Sequence, residues 1–342
     1  MTEINQQLLQ MIQENKTINE ISKQLCLTHK QLYRRITILE TLGYGFNRKY
    51  YYSGDIVYQL NKKLTEDRKN EVDIITAPSD SEVKVLVISD LHFGSELQRL
   101  DLLDMLYNYC KKEGINIIIN SGDLIDGLAS FNPKKIEDVE EQVEYVIKKH
   151  PFDKNILNFL CLGNHDYELL KSTGRDLEKI LYNKRHDIIP VGYKQVKINI
   201  KNDCILVQHP VDGILFNEKI NQYSLVINGH QHKTLVDSRN NAFTSILVPS
   251  LSDIKFNEML PGAIKLNLHF QHGKFIYGYM EQLMLNDRVY KINEIYFDLG
   301  TNNSRNDNDK IALEEEISTE YKIKSKQLSQ IEKFNQRYKY SK

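Results

Sequence analysis

Five apolar runs in this chain end in side chains that bind cations or move protons. VLVIS is followed by Asp90-Leu91-His92, and IIINS by Gly122-Asp123 with Asp126 close behind. NFLCL and Gly163 precede Asn164-His165-Asp166, CILVQ precedes His209-Pro210, and LVIN precedes Gly229-His230-Gln231-His232. In an open α/β sheet, functional side chains gather at the C-terminal ends of strands, so these five loops are expected to converge. Carboxylates packed that closely repel one another unless cations sit between them. Mixed imidazole and carboxylate donors suit manganese, iron or zinc rather than magnesium or calcium, which take oxygen alone. The single-residue spacing of Asp90-x-His92 and of His230-x-His232 brings both members of each pair to one loop. A pair of divalent metals held in this way is a common device for hydrolysing phosphate esters.

The runs that would position these residues alternate early between strand and helix periods. Val83–Ser89, Ile115–Ser121 and Ile156–Leu162 are predicted strands, and Leu97–Lys112 and Ile136–Lys149 amphipathic helices. Strands then follow one another at Cys204–Gln208, Leu225–Asn228, Ala242–Val248, Ile264–Phe270 and Phe275–Met280. Early βα alternation followed by consecutive strands argues a layered α/β domain with mixed sheets over residues 82–299.

The ordered series DxH, GDxxD, GNHD, H and GHxH, each piece following an apolar strand, resembles the calcineurin-like metallophosphoesterase superfamily over roughly Val83 to Met280. The resemblance implies an αββα-type domain and two divalent metal ions, manganese first, with iron or zinc as alternatives. Asp90, His92 and His232 would hold one metal, and Asn164, His209 and His230 the other, with Asp123 bridging both. For His209, whose motif is a lone His-Pro, a structural histidine is the alternative. His165 matches the family histidine that stabilises the transition state or protonates the leaving oxygen, Asp166 would orient it, and Asp126 would support the ligands from behind. The implied reaction is in-line attack on phosphorus by a hydroxide bridging two metals. Protein serine/threonine phosphatases of this superfamily carry GDxVDRG and GNHE. This chain has GDLIDG and GNHD without the arginine, wording closer to phosphodiesterases and DNA-processing members. No basic clamp stands out beside the third motif, where Tyr167 follows Asp166 and Lys171 and Arg175 are scattered.

Residues 1–62 read as a unit of their own. Ile4, Leu8, Leu9 and Ile12 form an amphipathic stripe, and Thr17-x-x-Glu20 and Thr28-x-x-Gln31 are capping boxes that open two further helices. Tyr44–Leu60 suits a hairpin. The pattern resembles a small winged helix-turn-helix domain whose third helix presents Lys30, Gln31, Arg34 and Arg35 to DNA. A helical module that binds protein, or only packs on its neighbour, is the alternative. Residues 63–81 are polar, contain Pro78 and read as a linker. Residues 300–342 read as an Asn/Asp-rich connector followed by a basic helix: a nucleic-acid contact, an oligomerisation helix joining like chains, or a solvated end.

The 342 residues carry 45 Lys/Arg and 46 Asp/Glu, a net charge of −1 that excludes a uniformly basic nucleic-acid coat. The near-neutral total hides +4 over residues 1–63, −11 over 64–320 and +6 over 321–342. No apolar run approaches the roughly 20 residues of a membrane span. The polar first sixteen residues lack the apolar core of a signal peptide, and four scattered cysteines read as reduced thiols, which together point to the cytoplasm. The expected function is phosphodiester hydrolysis on DNA, as a nuclease or end-processing enzyme. The alternatives are a phosphodiesterase for small or cyclic nucleotides, and a DNA-binding regulator whose phosphoesterase domain senses a ligand.

Overall fold

The computed structural model describes residues 2–61, 70–128, 132–211, 223–239, 243–254, 260–286 and 288–298. Residues up to 298 belong to one compact unit, and the basic tail, with the connector and helix expected in it, lies outside the described residues. Three helices come first, α1 (Glu3–Gln13), α2 (Ile18–Leu25) and α3 (His29–Thr41). Each begins where a threonine hydroxyl accepts an N–H that has no helical partner: Thr2 from Asn5, Thr17 from Glu20, Thr28 from Gln31. The two capping boxes close as the sequence predicts, with Thr17 N and Thr28 N donating to the side chains of Glu20 and Gln31, both at 2.8 Å. β1 (Gly45–Tyr51) and β2 (Ile56–Asn61) then pair as an antiparallel hairpin.

β3 (Glu71–Ile75) and β4 (Glu82–Ile88) lead into alternating elements: α4 (Leu100–Glu113), β5 (Ile117–Asn120), α5 (Val139–Lys149), β6 (Leu157–Leu162), α6 (Glu168–Thr173), α7 (Leu177–Lys184) and β7 (Ile188–Tyr193). Strands follow almost without interruption: β8 (Gln195–Ile200), β9 (Asp203–Gln208), β10 (Leu225–Asn228), β11 (Leu235–Arg239), β12 (Phe243–Leu247), β13 (Gly262–Gln271), β14 (Lys274–Leu285) and β15 (Val289–Asp298). They make two mixed sheets, one ordered β15-β14-β13-β4-β5-β6-β7 and the other β11-β12-β10-β9-β8-β3-β1-β2. One face of the first sheet (Val83, Val85, Ile117, Phe159) meets the second sheet (Ile198, Ile205, Val207, Ile227) in a continuous core. Its other face (Leu86, Ile88, Ile118, Leu160) is covered by α4, α5, α6 and α7. β4, β5 and β6 run parallel and buried on both faces, which is why they read as unbroken apolar runs rather than alternating ones. Among the described residues no helix is long and apolar enough to cross a membrane.

The N-terminal region differs from the expected tethered domain. Within the stretch read as a linker, Glu71–Ile75 is a strand that pairs in parallel with β1 on one side and with β8 on the other. The first 61 residues therefore share a sheet with the α/β part that follows, and Leu8, Ile21, Leu32 and Ile36 belong to the same core as Val85 and Ile227. The inward face of this module is aromatic. Tyr33 stacks on His186 at 4.5 Å, Tyr58 Oη lies 2.6 Å from His186 Nδ1, and the Arg48 guanidinium lies 3.5 Å from the Tyr182 ring centre. At the hairpin tip, Gly54 has φ +81, and a Cβ there would fall 1.8 Å from the Asn155 carbonyl oxygen, so only glycine lets the turn seat on that backbone.

Two buried groups fix the loops on which the module sits. Arg185 donates to both carboxylate oxygens of Asp187 and to the carbonyls of Ile147, His150 and Pro151, answering the open C-terminal end of α5. His150 stacks on Phe93, and burial, reinforced by the Arg185 charge, pushes its pKa down to about 4. Because the folded form resists protonation while the unfolded chain accepts a proton near the ordinary histidine value, this group leaves stability intact above about pH 6.5 and erodes it from there down to about 4. The metal-free protein is expected to lose about 1 kcal/mol through His150 between pH 7.5 and 5.5. Urea denaturation at the two pH values reads this directly: the loss should be smaller by that amount in His150→Leu, and an identical pH slope in both proteins contradicts it.

Candidate metal centre

The five polar segments meet at one end of the two sheets. Asp90, Asp123 and Asn164 follow β4, β5 and β6 of one sheet, while His209, His230 and His232 follow β9 and β10 of the other. Two triads form, Asp90, His92 and His232 in the first, Asp123, His209 and His230 in the second, and within each the ligand atoms lie within 4.8 Å of one another. Asp90 Oδ1 is 3.0 Å from His232 Nε2 and 4.0 Å from His209 Nε2, so the triads stand side by side. Asp123 Oδ2 is 3.0 Å from His209 Nε2 and 3.8 Å from His165 Nε2.

Hydrogen bonds fix which ring nitrogen faces inward. His209 Nδ1 donates to the Ser121 carbonyl at 2.7 Å, which in the neutral ring leaves Nε2 as a lone pair turned toward Asp123. Nε2 is buried and lacks hydrogen-bond geometry, as does the buried Oδ1 of Asn164. Electron-pair donors facing one another in this way fit a divalent cation. Behind them, Asp126 Oδ1 lies 3.2 Å from His92 Nδ1 and the Asp126 carboxylate also accepts from Asn132 and from Lys134. His165 Nδ1 donates to the Asp126 carbonyl at 2.8 Å, and its ring lies 5.0 Å from that of His92.

The electrostatics run the same way. Burial alone would raise the carboxyl groups of Asp90 and Asp123, but the neighbouring histidines outweigh it and hold both below the ordinary range. Burial would lower His209, but Asp123 and Asp90 push it up to about 10. A field that retains a proton against desolvation also favours a metal cation in its place.

Asp166 stands differently from the sequence reading. Its carboxylate accepts from Ile125 N at 3.0 Å and Gly163 N at 2.8 Å, so it ties the second motif loop to the third, and the partner at His165 Nδ1 is the Asp126 carbonyl instead. The four candidate DNA contacts are not brought to the metal centre. Gln31 closes the α3 capping box, Arg35 donates to Asn5 at 2.9 Å, Lys30 lies 5.5 Å from the Phe152 ring centre, and Arg34 is exposed. Phe152, Asn155 and His186 precede β6 and β7, whereas Asn164 follows β6, so the module sits at the opposite end of these strands, about 17 Å away along β6.

The site also uses groups that the sequence reading passed over. Ser89 Oγ donates to Asp90 Oδ2 at 2.5 Å, and Ser250 Oγ to the Asp90 carbonyl at 2.9 Å. Polar residues at the ends of apolar runs, Ser89 in VLVIS and Ser250 after ILVP, were the available signal. Asp90, His92, Asp123, His230 and His232 all have left-handed backbones, with φ between +48 and +70. Such conformations cost free energy in non-glycine residues and persist where the surroundings over-determine them, commonly at functional sites.

The comparisons with known proteins address the same stretch. The profile of the calcineurin-like phosphoesterase family matches residues 83–234, from the start of β4 to just beyond His232. Two uncharacterized metallophosphoesterases of Helicobacter pylori strains are similar, one 24% identical over 104 residues (30% of this chain, 25% of the relative). The other is 23% identical over 194 residues, 49% of this chain and 50% of the relative. The chain thus spans half or less of the length of these curated relatives. Among solved structures, the E. coli phosphoesterase Yfce is 15% identical, with 63% of this chain and 100% of that one covered and a TM-score of 0.40. Pseudomonas putida nuclease MPE is 18% identical, with 61% and 87% covered and a TM-score of 0.33. The matched span holds every loop that contributes to the two triads, and over it the chain is similar to the calcineurin-like phosphoesterase family.

Proposed function

We propose that this chain is a metal-dependent phosphoric ester hydrolase that cleaves phosphodiesters, with DNA as its substrate, in a nuclease or end-processing role. The observation that carries the reading is the pair of adjoining triads, with His165 beside both. Asp90, His92 and His232 would hold one divalent cation, and His209, His230 and Asn164 the other, with Asp123 shared; manganese is the first choice among manganese, iron and zinc. Two bound cations supply Lewis acidity for the phosphate oxygens and a water that ionises near neutral pH. The chain's own contribution is to keep the donors in place. The Ser121 carbonyl sets the His209 tautomer, Asp126 backs His92, and the Asp126 carbonyl orients His165 so that its Nε2 can pass a proton to the leaving oxygen.

The absence of the phosphatase-type arginine from GDLIDG favours diesters over phosphoproteins. Arg34, exposed on α3, supports a DNA partner. A second reading, a phosphodiesterase for small nucleotides, is favoured by the seat of α3 at the far end of β6 and β7. The test is hydrolysis, with Mn²⁺ present, of single-stranded DNA, duplex DNA, bis-p-nitrophenyl phosphate and p-nitrophenyl phosphate. Cleavage of DNA and of the diester is expected, and cleavage of the monoester alone overturns the reading. His165→Ala should lower kcat on the diester by roughly 100-fold or more while KM stays within about twofold. An unchanged kcat would remove His165 from the chemistry.

A further inference from the structure

Tyr167 directly follows Asp166, yet its ring is 36% exposed and takes no part in the core. It is held rather than loose. Tyr193 meets it edge-on at 5.5 Å, and the Tyr193 hydroxyl in turn donates to Asp176 at 3.0 Å. Lys171, one turn along α6, brings its ammonium to 5.2 Å from the Tyr167 ring centre. Lys194, the residue after Tyr193, is exposed on a left-handed backbone with φ +66. Its N–H donates to the Leu162 carbonyl and its carbonyl accepts from His209 N, both at 2.8 Å, so it is tied both to the end of β6 and to a loop of the metal centre. Leu128, just after the second motif, is 45% exposed, and its N–H donates to Glu168 on α6.

A single exposed apolar side chain is ordinary. An aromatic ring on a fixed pedestal, with one ammonium group over it, two residues after His165 and packed on a tyrosine that an exposed lysine follows, is a different arrangement. Ring stacking and backbone charge contacts are the two components of recognition of an unpaired nucleic-acid strand. A small phosphomonoester or an inorganic phosphate would have no use for the ring.

We propose that Tyr167, Lys171 and Lys194 form a platform for the strand flanking the scissile phosphodiester, the Tyr167 ring stacking on an unpaired base and the two lysines holding neighbouring phosphates. This rests on the phosphodiesterase reading above and narrows its substrate class to single-stranded or locally unpaired nucleic acid.

The experiment compares a ten-nucleotide oligothymidylate with the same oligomer built of abasic residues, under Mn²⁺, in wild type, Tyr167→Ala and Tyr167→Phe, with bis-p-nitrophenyl phosphate run alongside. Wild type should show a KM about tenfold lower for the base-bearing oligomer, Tyr167→Phe should keep that preference and Tyr167→Ala should lose it. Lys171→Ala and Lys194→Ala should each make the dependence of log KM on log salt shallower by about 0.7. A Tyr167→Ala enzyme that retains the base preference overturns the platform, and so does a wild type that cleaves bis-p-nitrophenyl phosphate but neither oligomer. Cleavage of none of the three substrates overturns the phosphodiesterase reading itself, and the platform with it.

Discussion

Asp123→Asn is expected to lower kcat/KM for bis-p-nitrophenyl phosphate by on the order of 1,000-fold. Asp123 Oδ2 lies 3.0 Å from His209 Nε2 and 3.8 Å from His165 Nε2, while Oδ1 accepts the His165 N–H at 3.0 Å. The carboxylate thus serves the second triad and the histidine beside it at once. An amide of the same shape keeps one acceptor but removes a full negative charge from a site assembled to hold positive charge. It can also turn an NH₂ toward the His209 lone pair and donate to it, occupying the electron pair that a cation would need. The substitution is nearly isosteric, so the thermal midpoint of the metal-free protein should move by only a few degrees. Steady-state kinetics together with that midpoint separate a chemical loss from a folding loss. Activity within tenfold of wild type would mean that the Asp123 charge is not needed at the second triad.

Gly122→Ala is expected to be nearly as damaging, although glycine has no functional group to lose. Gly122 has φ +120, and a Cβ at this position would lie 2.1 Å from His209 Nδ1 and 2.6 Å from its Cγ. His209 is 1% exposed and its Nδ1 already donates to the Ser121 carbonyl, so the ring has no room to retreat without breaking the bond that sets its tautomer. The expected result is a fall from two bound manganese ions per chain to one, with diester hydrolysis reduced by about 100-fold or more. Elemental analysis after gel filtration gives the stoichiometry. Two retained ions and full activity would show that the ring can move and that His209 is a structural histidine.

The candidate ligands were legible because each stands just beyond an apolar run, and strands buried on both faces print such runs plainly: Val85–Ile88 before Asp90, Ile117–Ile119 before Asp123, Leu225–Ile227 before His230. Their backbone conformations were not. Left-handed geometry is signalled by glycine or asparagine, and here aspartates and histidines adopt it because the surrounding sheets and hydrogen bonds impose it. The orienting partner of His165 was missed for a related reason: it is a backbone carbonyl, that of Asp126, which no side-chain pattern encodes.

β7 escaped prediction because Pro190 and Gly192 break the run IIPVGY, although the strand lies at a sheet edge where proline is tolerated. β3 was hidden in a charged stretch, and its partners, Tyr50 and Tyr51 on one side and Lys197 to Ile200 on the other, are far away in sequence. That non-local pairing turns a supposed tether into part of the sheet. Removal of residues 1–62 would therefore strip β1, β2 and the core residues Leu8, Ile21, Leu32 and Ile36 from a shared core, so it cannot serve as a clean test of DNA binding. Charge reversal at exposed Arg34 can.

The central claim is that the two triads act as a two-metal phosphodiester hydrolase. Its most direct test is titration of chelator-stripped protein with Mn²⁺ while hydrolysis of bis-p-nitrophenyl phosphate is followed. Negligible activity without metal and a rise that levels off at two equivalents per chain are predicted. Full activity in the stripped protein, or a plateau at a single equivalent, would contradict it.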